Sequence, residues 1–289
     1  MIIGILTVNG PEFHPNGRLM AAAKARGHGV VLMDPYGLMP TTGRGDFLDP
    51  LPHGVLPRQG SPMGEYGFVI LRELERRGVP LINGARGVTL ARHQYLTLQA
   101  LEGAGLPVPR SCFISRSREM EDAASHLGGW PLVLKHPTGM GGDGVVCMDD
   151  LPRSLAWLET QLVHKQGVVV QEYIPPAGRM DLRILVVGDR VVGAMALTPS
   201  DGEFRANVHQ KGRAESIPLD PAWETMALQA AKACCLDIAG VDMMVSAQGR
   251  PMVSEVNYSP GFRGLEAATG LDIAGMIVDH AISCIEANT

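Results

Sequence analysis

Residues 238–266 read IAGVDMMVSAQGRPMVSEVNYSPGFRGLE. Two largely apolar runs, GVDMMVS and RPMVSEVN, flank a turn at Ala247-Gln248-Gly249, and a polar, glycine-containing loop follows. That pattern predicts a β-hairpin. Asp242, Glu255 and Asn257 stand inside the apolar runs, and the period of two along a strand sends Glu255 and Asn257 to one face. Carboxylates taken out of water must be relieved by protonation, by cations or by a metal. An oxygen-only set of carboxylates and an amide suits magnesium or manganese, not zinc. Magnesium held by one or two carboxylates commonly completes its shell with nucleotide phosphates. A solvent-facing acid on an amphipathic sheet leaves the same local signature, so the meaning of the hairpin rests on the rest of the chain.

With 289 residues the chain suits two or three subdomains of about 100 residues rather than one small core. No apolar run approaches the ~18 residues needed to span a bilayer, so no membrane association is expected. MIIGILTVNG has neither a basic region before its apolar run nor a small-residue cleavage site, and reads as a first strand, not a signal peptide. Cys112, Cys147, Cys234, Cys235 and Cys284 are odd in number and lack metal-ligand spacing. Free thiols in a reducing cytoplasm are therefore expected, with no disulfide framework. A net charge of -5 argues against general nucleic-acid binding while leaving room for local basic pockets. None of the nine histidines forms a metalloprotease-like pair.

Up to about residue 88 the chain alternates strand and helix: IIGILTV, GRLMAAAKARG, GVVLMD, EYGFVILRELERRG and VPLIN, the makings of a parallel sheet. Between them, TTGRGDFLDPLPHGVLPRQGSPMGEYG is loop by composition. Its short VLPR run would present Arg58 at the C-terminal end of a strand, the side on which open α/β sheets bind ligands. A helix is expected from Leu90 to Gly103 or Gly105, stopped by Pro107 and Pro109. SCFIS, PLVLK and VVCM read as strands, and SREMEDAASHLGG as a helix. The run Gly139, Gly141, Gly142, Gly144 contains G-x-G-x-x-G, yet it continues into a strand and not a helix, so it is not a dinucleotide fingerprint, and no Walker lysine follows. What remains is a glycine-rich hairpin loop whose amides can close over phosphates, with Lys135 beside it. Residues 151–165 read as a helix and GVVVQEYIPP as a strand. DLRILVVG and RVVGAMALT then form a hairpin that places Asp181 and Arg183 on one side. GEFRANVHQKG alternates Arg205, Asn207, His209 and Lys211, and PAWETMALQAAKACCLD is a helix.

Cations, an amide-rich cover, an apolar slot and oxygen ligands are the components of a phosphate-transfer site. In order and spacing, PLVLKHPTGMGGDGVV, VVVQEYIPPAGRMDLRILVVGDRVVGAM, GEFRANVHQKG and AGVDMMVSAQGRPMVSEVNYSPGFRGLEAATGLDIAG resemble the ATP-grasp superfamily, and within it the RimK-like ligases that add glutamate to a ribosomal protein and related amino-acid ligases. The resemblance covers essentially the whole chain, more loosely before residue 88. It implies an α/β chain with an N-terminal parallel α/β domain (1–88), a central subdomain with a glycine-rich lid (89–170) and a C-terminal α+β subdomain carrying the metal site (171–289), the last two clamping ATP.

By the same resemblance, Lys135, with Gly139, Gly142 and Gly144 of the lid, would hold nucleotide phosphate. Gln171, Glu172, Tyr173, Ile174 and Asp181 would line the adenine and ribose pocket. Arg205 and Asn207 would reach the phosphates and metal, with Asn207 also near substrate. Asp242, Glu255 and Asn257 would hold two magnesium ions, manganese substituting. Arg183 and Arg205 would act on the transferring phosphoryl group or acyl oxyanion, while Arg58 and Arg263 would take substrate carboxylates. The implied reaction is ATP-dependent ligation of a carboxylate and an amine through an acylphosphate, with an amino acid such as glutamate joining a carboxylate-bearing acceptor in a homodimer or homotetramer. Where the family usually carries Asp-Lys, this chain has His93-Gln94 after Arg92, which removes a phosphate-contacting charge. A catalytically weakened nucleotide-binding scaffold is the alternative that this departure raises. The stretch between Pro40 and Gly64, where the carboxylate substrate would be selected, is not closely similar to the family.

Overall fold

A computed structural model describes residues 1–42, 47–58, 64–139, 144–162, 166–198 and 213–288. The chain opens with a parallel sheet ordered β2-β1-β3, formed by β1 (Ile2–Leu6), β2 (Gly29–Met33) and β3 (Gly54–Pro57). The helices of this part are α1 (His14–Ala25), α2 (Gly64–Arg76) and α3 (Ala85–Arg92). The strand expected over VPLIN is reduced to a single parallel bridge, Val55 to Leu81. Val55 N donates to Pro80 O at 2.8 Å and Ile82 N to Val55 O at 2.9 Å, after which the chain enters α3 through its N-cap at Gly84.

The helix expected from Leu90 is two helices. α3 ends at Arg92 and α4 (Gln94–Gly103) begins two residues later, because His93 is extended (φ -104, ψ 110) and its ring accepts from Leu96 N at 3.3 Å. Gln94 N is then free of the preceding turn and donates to Pro137 O at 2.7 Å. This break ties α4 to the loop leaving Lys135.

Next comes an antiparallel sheet ordered β4-β7-β5-β6, from β4 (Ser111–Ile114), β5 (Leu132–Lys135), β6 (Val145–Met148) and β7 (Val168–Glu172). α5 (Met120–Leu127) and α6 (Leu151–Gln161) cover one face, where Leu132, Leu134, Val168 and Val170 share a core with Met120 and Leu158. The last sheet is ordered β10-β9-β8-β11-β12, from β8 (Met180–Val187), β9 (Arg190–Thr198), β10 (Arg213–Ser216), β11 (Ile238–Val245) and β12 (Pro251–Asn257). α7 (Pro221–Ala233), α8 (Arg263–Thr269) and α9 (Ile273–Ala287) complete the chain. Leu182, Ile184, Val186, Val241 and Met243 are buried with Ala227, Ala230 and Ala231 of α7, so alternation turns the intervening residues of β8 and β11 to the other face.

Asn83 joins the first layer to the last. It is 1% exposed. Its amide nitrogen donates to Ile238 O at 2.7 Å and Tyr258 O at 2.8 Å, and its oxygen accepts from Asp237 N at 2.6 Å and Ile238 N at 2.8 Å. One side chain thereby holds both the entry to β11 and the exit of β12. Among the described residues no single helix is long and apolar enough to cross a membrane.

Candidate active site

The hairpin expected from residues 238–266 is present, and its register explains the acidic residues in its apolar runs. Asp242 pairs with Arg183 of β8 on one side and with Glu255 of β12 on the other. Directly opposed residues share a face, so the three side chains form a row across adjacent strands. Arg183 donates from Nε and Nη2 to the two Asp242 oxygens at 2.7 and 2.6 Å, a fork that suits a carboxylate. Asn257 Nδ2 donates to Asp242 Oδ2 at 3.3 Å. Burial raises the Glu255 pKa and the neighbouring Asp242 raises it further, against the opposite pull of Arg183 and Lys135. Arg183 is held firmly protonated, chiefly by Asp242.

Lys135, at the end of β5, comes from the facing sheet to the same place. Burial lowers its pKa and the charge of Glu255 raises it, so the two groups lie within electrostatic reach of each other. Gln94 adds to this setting: its side chain stands near enough to Glu255 to lower its pKa, the smallest of the effects there. The residue standing at the family's usual lysine position therefore addresses a metal-ligand candidate directly. The glycine loop is closed at its base by His136 N donating to Gly144 O at 3.0 Å. Gly144 has φ +70, and a Cβ there would lie 2.3 Å from the His136 ring, so glycine is required. Gly139 is exposed, and Gly142 lies outside the described residues.

The predicted nucleotide slot divides between two faces. Lys135 pairs with Val169, and Val133 with Gln171, which puts Gln171 on the Lys135 face. There Gln171 is buried and donates to Ser111 Oγ at 2.9 Å. Glu172 opposes Leu132 on the helix-covered face, and its carboxylate accepts from Arg110 N at 2.8 Å and Arg110 Nε at 2.9 Å. The structure does not bring the Glu172 carboxylate to Lys135. Tyr173, whose pKa burial raises, and Ile174 follow beyond the strand. Ile174 O accepts from Arg179 Nη1 at 2.6 Å, and Arg179 also donates to Asp181 from Nε and Nη2 at 3.1 and 2.9 Å. Arg179 acts on Lys135 as well. Sequence reasoning passed over it, although 179, 181 and 183 share one face by alternation.

Arg58 follows β3, as its position at the end of VLPR predicted. It is 4% exposed, donates from Nη2 to Pro260 O at 2.6 Å, and lies with its guanidinium carbon 5.8 Å from the Phe262 ring centroid. Burial lowers its pKa to about 10. Arg263, the first residue of α8, is exposed and close enough to His14 to lower its pKa, after the larger effect of burial. Arg205 and Asn207 lie outside the described residues.

Asp242, Glu255 and Asn257 suit a magnesium ion on chemical grounds. Glu255 stands opposite Asp242 where burial disfavours its charge, the condition a divalent cation relieves. Asp242 Oδ1 accepts from Arg183 and retains a lone pair, whereas Oδ2 accepts from both Arg183 and Asn257. Among the described residues no group of three or more His, Cys, Asp or Glu is placed to hold a metal.

A parallel α/β layer followed by two antiparallel sheets, with a half-buried lysine within electrostatic reach of a carboxylate pair, defines the ATP-grasp class of ligases. The chain belongs to the RimK-like family of that class: the RimK-like ATP-grasp domain model matches residues 91–281. A protein of Vibrio cholerae named probable alpha-L-glutamate ligase is 38% identical over 287 residues, covering 96% of this chain and 94% of that protein. The crystal structure of a RimK domain ATP-grasp protein from Sphaerobacter thermophilus superposes with a TM-score of 0.77 at 25% identity, covering 98% of this chain and 100% of the other. The ATP-grasp ligase PsnB, solved with a phosphomimetic variant of a minimal precursor, Mg and ADP, superposes with a TM-score of 0.75 at 22% identity over 98% of both chains, a likeness of fold. The chain is an ATP-grasp ligase.

Proposed function

We propose that this chain ligates an amino acid, L-glutamate foremost, to a carboxylate-bearing protein, peptide or small molecule, forming an amide with release of ADP and phosphate. The observation that carries the reading is the Arg183–Asp242–Glu255 row held in register across β8, β11 and β12, with Lys135 at the end of β5 within electrostatic reach of Glu255. The name borne by the Vibrio cholerae relative supports glutamate.

Magnesium, two ions in this reading, supplies charge neutralisation of the phosphates when bound at Asp242, Glu255 and Asn257. Lys135 holds the phosphates from the opposite sheet, under amides of the glycine loop at Gly139, Gly142 and Gly144. Gln171, Tyr173 and Ile174 border the base slot; Asp181 positions Arg179 at its edge. The Glu172 carboxylate is already engaged by Arg110, so that residue contributes through its main chain. Arg183, oriented by Asp242, keeps Nη1 for the phosphoryl group passing to the substrate carboxylate; Arg205 and Asn207, outside the described residues, are assigned to the same phosphates by the family resemblance alone. The amine then attacks the acylphosphate and phosphate departs. No protein nucleophile is required; positioning and charge stabilisation do the work. Arg58 and Arg263 receive carboxylates of the substrates.

The test is phosphate and ADP release from Mg-ATP with L-glutamate and other amino acids, each paired with a panel of carboxylate acceptors. We expect amine-dependent release in the wild type and a loss of about a hundredfold or more in Glu255→Gln, with folding retained. Equal turnover in that variant would contradict the assignment. Nucleotide binding without turnover on any pair would favour a scaffold role.

A further inference from the structure

Two buried polar atoms beside the phosphate and metal cluster have no hydrogen-bond partner among the described residues: Tyr258 Oη and Arg92 Nε. Buried polar groups are nearly always satisfied, so an orphaned pair in one neighbourhood demands an occupant. Tyr258 directly follows Asn257 and is 6% exposed. Arg92 ends α3, which packs on β12, and its guanidinium lies 4.9 Å from the Phe68 ring centroid. Arg58 enters from β3 through its hydrogen bond to Pro260 O and its stacking near Phe262. Tyr258 shares one buried cluster with Phe68 and with Leu90 and Ala91, which precede Arg92 on α3. The place is distinct from that of Gln94, which turns to Glu255.

We propose that Tyr258 and Arg92, together with Arg58, seat a carboxylate of a substrate that does not itself react. The inference rests on the ligase reading above and adds the groups that recognise the substrate. A carboxylate is acceptor-only when ionised, and both orphaned groups are donors: the tyrosine hydroxyl and the arginine Nε–H. Phe68 and Phe262 hold the two guanidinium planes, so little side-chain freedom remains to be lost on binding. Tyr258 follows Asn257 in the chain and shares its buried cluster with Phe68, Leu90 and Ala91, so the seat lies under α3 at the end of β12. Two sources share this chemistry: the α-carboxylate of the amino-acid substrate and a second carboxylate of the acceptor.

The experiment is calorimetric titration of the whole chain, in the presence of Mg²⁺ and a non-hydrolysable ATP analogue, with L-glutamate, with L-isoglutamine, in which the α-carboxylate is amidated, and with N-acetyl-L-glutamate, in which the amine is blocked. L-Glutamate is expected to bind at least about tenfold more tightly than L-isoglutamine. Tyr258→Phe and Arg92→Gln should each weaken L-glutamate binding by about tenfold and erode that preference, with affinity for the analogue unchanged. The same loss on N-acetyl-L-glutamate alone assigns the seat to the acceptor. Unchanged carboxylate affinity in both variants, or no carboxylate binding by the wild type, overturns the proposal. So does an Arg92→Gln effect confined to the analogue, which would give Arg92 to the triphosphate. Tyr258→Phe removes one oxygen and decides the matter alone should Arg92→Gln fail to fold. Phosphate release measured on the same preparation separates the two readings. Variant-sensitive binding without release keeps the seat and removes the ligase reading, whereas release with variant-insensitive binding does the reverse.

Discussion

Gln94 is the residue at which sequence and structure divide most usefully. The sequence marks it as a lost phosphate-contacting charge; the structure places its side chain on Glu255, on the metal side of the cleft. Because the His93 break sets Gln94 at the start of α4, a longer cationic side chain there would stand between Glu255 and the triphosphate. Gln94→Lys should therefore tighten Mg-ATP binding by about tenfold, read by calorimetry, since a charge-assisted contact replaces a neutral one. Unchanged or weakened binding would show that the side chain does not face phosphate. Other residues were legible only in part. Arg58 was readable because a strand ends just before it. Tyr258 and Arg92 were not, since an orphaned hydroxyl and an orphaned guanidinium nitrogen are properties of packing, with no signature in spacing.

The decisive element is the hairpin of β11 and β12, and its reading from alternation held. Apolar residues facing α7 alternate with Asp242, Glu255 and Asn257, and the register supplies Arg183 as the partner the carboxylates require. The helix from Leu90 was misread as continuous because no proline or glycine interrupts it. The break comes from His93 capping its own downstream turn and from the loop after Lys135 claiming Gln94 N, a tertiary contact that local propensity does not encode. VPLIN was overread for a related reason: a β-favouring run makes a strand only where a neighbour offers a full ladder. The hairpin is also held in place by Asn83, through four hydrogen bonds, three of them buried. Asn83→Ala would leave main-chain donors and acceptors unsatisfied. We predict a loss of about 3 kcal/mol in urea unfolding, with the Mg-ATP affinity falling alongside. A loss below about 0.5 kcal/mol, the scale of a neutral surface change, would mean the bonds are replaced by water.

Across the whole molecule, the order of motifs was the strongest signal. A lysine-ended strand before a glycine hairpin, a charged alternation on a later strand and a carboxylate hairpin near the end recur here in the sequence and spacing that the RimK-like family shares. What the motifs could not convey is how the layers meet. The first and last sheets share buried cores, while the central sheet keeps its own with α5 and α6. The cleft therefore lies where a separately built unit brings Lys135 to a row formed by the other two. The account stands on that junction holding a metal and a nucleotide together. Electron paramagnetic resonance of Mn²⁺ titrated into the chain tests it most directly, with ADP present and absent, in wild type and Glu255→Gln. The account predicts bound Mn²⁺ that strengthens with ADP in the wild type and is lost in the variant. Equal Mn²⁺ binding in both proteins, or none in the wild type with ADP, would contradict it.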